Sequence, residues 1–388
     1  MDAVKEQLLH CVEMAVNRTF ALGCDIFDHP ECGGEERYAS TLLTRFLEEN
    51  NFTVERGVGG METAFRAVWE RGSGGPAVGM MMEYDALPNL GHACGHHLQS
   101  VTAISAALAL REACPEDFKL VLYGTPDEEG NGGKIAMIEG GCFRDVDVVF
   151  GYHTSKMTYA SHSNRALAPF RVTFRGTPSH ASGAPWKGRS ALDAMLLCFH
   201  GLEIMREHVE DGCRIHYSVC EGTGPSNIVP ETAVAHITLR AGGRRYLEDM
   251  VRRMRRVVEG ACMMTDTEAE FEPLPVYWNY VPVEPLRQVV LDAAEEIGAP
   301  KLHREARASG GSSDVGNVSW VAPTVNVYTY YCDHDGHTIP HRNEGKSEKA
   351  RASAINGAKI IALSACRILR DGALFRAIRE EHARMLQS

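Results

Sequence analysis

The sequence predicts an α/β protein, because apolar segments that end in acids or histidines alternate with helical patterns. Three segments carry the prediction: "PAVGMMMEYDALP", "DFKLVLYGTPDEEGNGG" and "VDVVFGYHTS". Each is a short apolar run of the kind found in a strand covered on both faces. Each also delivers polar side chains at its C-terminal end, the edge where parallel sheets build their sites.

The elements follow in order. The opening "MDAVKEQLLHCVEMAVNRTF" places Leu8, Val12 and Ala15 on one helical face and mixes charges between them, so it reads as an amphipathic helix and not a signal peptide. "GGEERYASTLLTRFLEENNFTVERGV" reads as a helix and then a strand. "LQSVTAISAALALREAC" is a long apolar helix between the first two core strands. Near Ala166 the texture changes. "APFRVTFRGTPSHAS", "RIHYSVCEGTG" and "TAVAHITLRAG" alternate like half-buried strands, with helical "GRSALDAMLLCFHGLEIMREHV" and "YLEDMVRRMRRVVEGACMM" among them. This order predicts an inserted α+β domain over 166–275. From Val276 the α/β texture returns with "PLRQVVLDAAEEIG", the strand "PTVNVYTYY" and a long last helix. Residues 1–165 and 276–388 therefore form one domain around the insertion, as a chain of 388 residues, too long for one core, requires.

Lys plus Arg number 40 and Asp plus Glu 51, a net charge of -11, which argues against nucleic acid and against anionic membranes as partners. No apolar run reads as a bilayer span. The 12 cysteines are scattered with no CxxC pair, which argues against a disulfide framework or a zinc ribbon and for a cytoplasmic setting. Most fit as small buried side chains, but Cys94 lies between histidines.

Four strand-end clusters combine: His92, Cys94 and His96; Asp127, Glu128 and Glu129; His153; and "DHDGHTIPH" from Asp333 to His341. Any one alone suits a solvated turn or a hydrogen-bonded structural histidine. Together they supply thiolate, imidazole and carboxylate ligands with an acid to spare, the inventory of a catalytic metal site. A divalent ion lowers the pKa of bound water toward neutrality, and a second can share that water. One glutamate must bind metal while its neighbour stays free to move a proton. Asp85 is the candidate acid behind a ligating imidazole.

"DALPNLGHACGHH", "GTPDEEGNGG", "FGYHTS", "GTPSHAS", "GPSNIVPETA" and "GSSDVGNVS" occur in this order. The ordered set resembles the M20 metallopeptidase family, in its amidohydrolase branch. Within that branch it resembles the subgroup of aminobenzoyl-glutamate hydrolases and M20-domain-containing-2 peptidases. The resemblance covers nearly the whole chain. It implies a zinc-peptidase-like catalytic domain with an inserted lid that forms a homodimer, and two divalent ions, zinc, manganese, nickel or cobalt. Cys94, His96, Glu129 and His153 match family ligands, and His337 matches the last, with His341 as the alternative. Glu128 matches the general base that activates metal-bound water. His180 resembles a residue that polarises the scissile carbonyl, and Asn227 and Arg240 resemble substrate anchors. The implied reaction is hydrolysis of the amide bond of an N-acyl amino acid, an aminoacyl conjugate or a dipeptide. A hydrolytic deaminase of a small amino compound is the alternative within enzymes, and an inactive metal-binding homologue the alternative outside them; an intact Glu128 argues against the latter. One departure stands out: His97 replaces the family's usual Asp or Asn, either tuning the site or as a neutral exchange behind it. Trp186, Trp278 and Tyr280 are assigned to the pocket wall or to core packing.

Overall fold

Four parallel strands form the centre of a seven-stranded sheet in the computed structural model, which describes residues 2–222, 224–306 and 311–387. In chain order the strands are β1 (Thr53–Arg56), β2 (Phe65–Arg71), β3 (Ala77–Met82), β4 (Phe118–Gly124), β5 (Val148–Ser155), β6 (Tyr159–Ala160), β7 (Ala166–Arg175), β8 (Arg214–Glu221), β9 (Thr232–Ala241), β10 (Glu268–Pro273) and β11 (Thr324–Tyr330). The large sheet has the order β1-β2-β4-β3-β5-β11-β6. Strands β4, β3, β5 and β11 are mutually parallel, while β1, β2 and β6 pair antiparallel at the edges.

Strand β3 is buried at all six positions, as its unbroken apolar run predicts. Its side chains alternate between two cores. Val78, Met80 and Met82 meet the helices Asp2–Asp28, His97–Ala113 and Glu348–Arg370. Met81 joins Tyr123, Met137, Phe143 and Val149 on the other face. Leu8, Val12 and Ala15 of the first helix are buried, as their shared face predicts. Contrary to the expectation that nothing in the sequence reads as a membrane span, helix Glu348–Arg370 is long and apolar enough for one; its apolar window is 67% buried, because it is a core helix of this unit.

The chain divides into two compact units. One comprises Met1–Ser163, Tyr280–Ala308 and Ser313–Ser388, and the other Asn164–Asn279 and Ser309–Ser312. The smaller unit is a four-stranded antiparallel sheet, β10-β7-β9-β8. Burial along β7 alternates strictly over its first nine residues. Its inward residues Ala168, Phe170, Val172 and Phe174 pack with Met195 and Cys198 of helix Ala191–Arg206 and Met250 and Met254 of helix Arg244–Thr265.

Candidate metal centre

The C-terminal ends of β3, β4, β5 and β11 deliver the polar residues to one edge. Glu83 and Asp85 follow β3, and Cys94 and His96 lie in the loop before helix His97–Ala113. Glu128 and Glu129 follow β4. Their turn is set by Asp127, a non-glycine residue at φ 59°, whose carboxylate accepts the main-chain and side-chain N–H groups of Asn131 at 3.1 and 2.8 Å. Asp127 is thereby a turn residue rather than a member of the cluster. His153 lies near the end of β5. His337 follows β11 at φ 60°, held by its N–H to Ala93 O (2.9 Å) and followed by Thr338, which caps the helix Ile339–Asn343.

Two sets of donors share Cys94, each with atoms within 4.8 Å of one another: Cys94, His96 and His153, and Cys94, Glu129 and His337. Cys94 Sγ lies 3.4 Å from His153 Nε2 and 3.3 Å from His337 Nε2, which is also 3.2 Å from Glu129 Oε1. Behind them, Asp85 Oδ1 is 2.8 Å from His96 Nδ1, and Asp85 Oδ2 accepts the Glu129 N–H at 2.8 Å. One carboxylate thus orients an imidazole and fixes the main chain of an acid.

The electrostatics suit a cation. Burial raises the Cys94 thiol, but His96 and His153 outweigh it and bring it down to about 6. Hydrogen bonds donated to Cys94 and Glu129 raise His337 to about 10. Burial opposes a charge on His153, yet Cys94 brings it up to about 9. The anionic groups thus draw protons onto the imidazoles, and a divalent ion satisfies the same anions in exchange for protons. His96 Nε2 is buried with no hydrogen bond, which also fits a ligand position. Glu128 stands apart: burial, then Glu83 and Asp314, push its carboxyl well above the usual range. Its Oε2 is 4.0 Å from His96 Nε2.

Residues 80–364 match the family model for peptidase family M20/M25/M40. The chain belongs to this family. It is 32% identical to the Xaa-Arg dipeptidase of Mus musculus, over 100% of this chain and 94% of that protein. It is 28% identical to a p-aminobenzoyl-glutamate hydrolase subunit of Escherichia coli (strain K12), over 92% of this chain and 90% of that one. The fold is shared with the Bacillus subtilis YXEP protein, described as a dinuclear metal binding peptidase from the M20 family (TM-score 0.70, 19% identity, 92% of this chain and 99% of that one). It is also shared with an aminobenzoyl-glutamate utilization protein from Klebsiella pneumoniae (TM-score 0.72, 19% identity, 91% and 96%).

Other sequence candidates in this M20 chain lie outside the two donor sets. His92 is a buried packing residue, its Nε2 3.1 Å from Ile26 O and its ring beside Phe27 and His97. His97 is buried with Nε2 2.9 Å from Gly345 O. His341 is buried 3.4 Å from Thr154 Oγ1, so His337 and not His341 meets Cys94. Tyr280 is buried, Trp278 stacks under Arg244, and Trp186 is exposed. In the smaller unit, His180 Nδ1 accepts the N–H groups of Ser182 and Gly183 at 3.2 and 3.0 Å, so the ring proton sits on Nε2. Asn227 is exposed and Arg240 donates to Ser312 Oγ at 2.9 Å. Sequence reasoning missed the charged residues behind the site: Glu83, Lys134 and Asp314, all buried. A lysine directly after the quoted motif "GTPDEEGNGG" and an acid inside "GSSDVGNVS" were the available signal.

Proposed function

We propose that this M20 chain hydrolyses the amide bond of small N-acyl amino acids, aminoacyl conjugates and dipeptides, with dipeptides ending in a basic residue as preferred substrates. The observation that carries the reading is Glu128, an acid outside two donor sets that share Cys94. The full-length similarity to an Xaa-Arg dipeptidase supports the dipeptide class.

Cys94, His96 and His153 would hold one divalent ion, and Cys94, Glu129 and His337 another; zinc, manganese, nickel and cobalt all suit such mixed donors. Bound there, the ions supply acidified water and a polarised carbonyl. Glu128 takes the proton from the attacking water and returns it to the leaving amine. Asp85 holds His96 in one tautomer through Nδ1. His180 offers its Nε2 proton to the carbonyl oxygen as charge develops there, and Asn227 and Arg240 anchor the substrate.

Residues 1–165 and 276–388 form the catalytic domain in this reading, and 166–275 a lid through which the chain dimerises. Support comes from edge strand β8 with Val219 54% exposed, and from Leu196 and Ile204 exposed on helix Ala191–Arg206. The unbridged state of all twelve cysteines supports a reducing, cytoplasmic setting.

The test is a substrate panel with each of the four metals added back to purified protein. It includes Xaa-Arg and Xaa-Lys dipeptides, p-aminobenzoyl-glutamate, hippurate and N-acetylcysteine. Released amino acid is expected, fastest from the basic dipeptides. Ammonia release with the amide intact would establish a deaminase instead, and inertness with every metal would remove the enzymatic reading.

A further inference from the structure

Glu83, His96 and Glu128 make a third set of donors within 4.8 Å of one another. Glu83 Oε2 lies 3.2 Å from His96 Nε2. This set shares His96 with one of the other two, the Cys94–His96–His153 set, and His96 has one ring nitrogen to give, since Nδ1 is engaged by Asp85. A divalent ion held there would take His96 Nε2 and leave Cys94 and His153 to hold the first ion with fewer ligands, so an ion would be added rather than exchanged. It would also turn Glu128 into a ligand and so remove the free base.

A cation already stands beside that set. Lys134 is fully buried, with Nζ 2.7 Å from Glu83 Oε1 and 2.7 Å from Asp314 Oδ1. Asp314, also fully buried, accepts the Lys134 main-chain N–H on its other oxygen at 3.1 Å, so the lysine is held at both ends. Gln99 grips Glu83 from the opposite side, accepting its main-chain N–H at 3.0 Å and donating to Oε2 at 2.5 Å. Glu83 is thus immobilised with one oxygen committed to ammonium. In a site of low dielectric, a second cation a few ångströms from that ammonium is strongly repelled. Without the ammonium, Glu83 and Asp314 are buried carboxylates seeking a cation.

We propose that Lys134 is a positioning residue that acts as an internal cation: it keeps divalent metal out of the Glu83–His96–Glu128 set and leaves Glu128 unligated as the base. The inference rests on the reading of Glu128 given above.

The experiment compares wild-type chain with Lys134→Met, similar in length but uncharged, by equilibrium dialysis against manganese(II) alone and by steady-state kinetics. Lys134→Met is expected to bind one more equivalent of manganese per chain than wild type. Its kcat should fall about a hundredfold, the scale of a lost base, with KM within a few-fold. Lys134→Met/Glu83→Gln should lose the extra equivalent and recover at least about tenfold in kcat. A merely structural lysine would not raise the stoichiometry. Should Lys134→Met not fold, Lys134→Met/Asp314→Asn removes one charge of each sign and carries the same expectation of an extra equivalent. An unchanged stoichiometry in the folded variant overturns the inference. If wild type itself bound no manganese or cleaved no amide, it is the functional reading that would fall.

Discussion

His337 Nε2 lies 3.3 Å from Cys94 Sγ, across 243 positions of sequence. The contact exists because β11 and β5 are parallel neighbours and end at the same edge as β3. Cys94 is the member common to both donor sets, so its loss should weaken both metal positions at once. Cys94→Ser is expected to lose both equivalents, or bind them at least about tenfold more weakly, whereas His337→Ala should lose one selectively. Elemental analysis after dialysis against dilute zinc reads the difference. Equal metal content in Cys94→Ser and wild type would exclude Cys94 as a ligand.

Glu128 and Glu129 are adjacent, yet their surroundings separate them. His337 and His96 hold Glu129 below the usual carboxylate range against its burial, while burial beside Glu83 and Asp314 holds Glu128 above it. Glu128→Gln keeps shape and removes basicity. Turnover should fall by about 10²–10⁴ with metal content unchanged. Loss of metal in that variant would mean that the two glutamates have exchanged roles.

Asp85 touches both sides of the centre, His96 through one oxygen and the Glu129 main chain through the other. Asp85→Asn retains the volume but places an amide where a carboxylate accepted two N–H groups. Metal affinity or activity should drop by about 10–100-fold. An isothermal titration with zinc that matched wild type, together with normal turnover, would show that His96 needs no such support.

How far the sequence reaches can be judged from particular residues. The buried run of β3 and the shared face of Leu8, Val12 and Ala15 are local patterns, and local patterns survive folding. That Cys94, His96, Glu129, His153 and His337 gather at one edge was legible because each lies at or after a strand end and parallel order collects strand ends; their choice as ligands came from the family resemblance. Glu83, Lys134 and Asp314 were not. Lys134 and Asp314 are 180 positions apart, and a buried lysine has no periodic signature of its own. The same holds for residues 311–312, which the chain returns to the smaller unit. His92 misled for the opposite reason: it stands two residues from Cys94, but its ring turns to Ile26 and Phe27.

That turned ring has a consequence for stability. Burial, reinforced by His96, lowers His92 to about 4, and burial with His153 lowers His341 to about 4 as well, from an ordinary value of 6.5. Both are neutral packing groups in the fold. Between pH 4 and 6.5 the unfolded chain binds protons that the fold refuses, so stability rises with pH across this window. It is lost as pH falls from 6.5 toward 4, and above that window these two groups add no slope. One unit of displacement corresponds to about 1.4 kcal/mol, so each histidine contributes on the order of 3 kcal/mol over the window. Protonation of His96, His153, His337 and Cys94 also varies with pH, so the informative quantity is a difference. His92→Gln can still donate to Ile26 O but does not titrate. Urea unfolding of wild type and His92→Gln, both stripped of metal, should show the variant losing less stability between pH 6.5 and 4.5. Parallel curves for the two proteins would mean that His92 carries its proton inside the fold as readily as outside it.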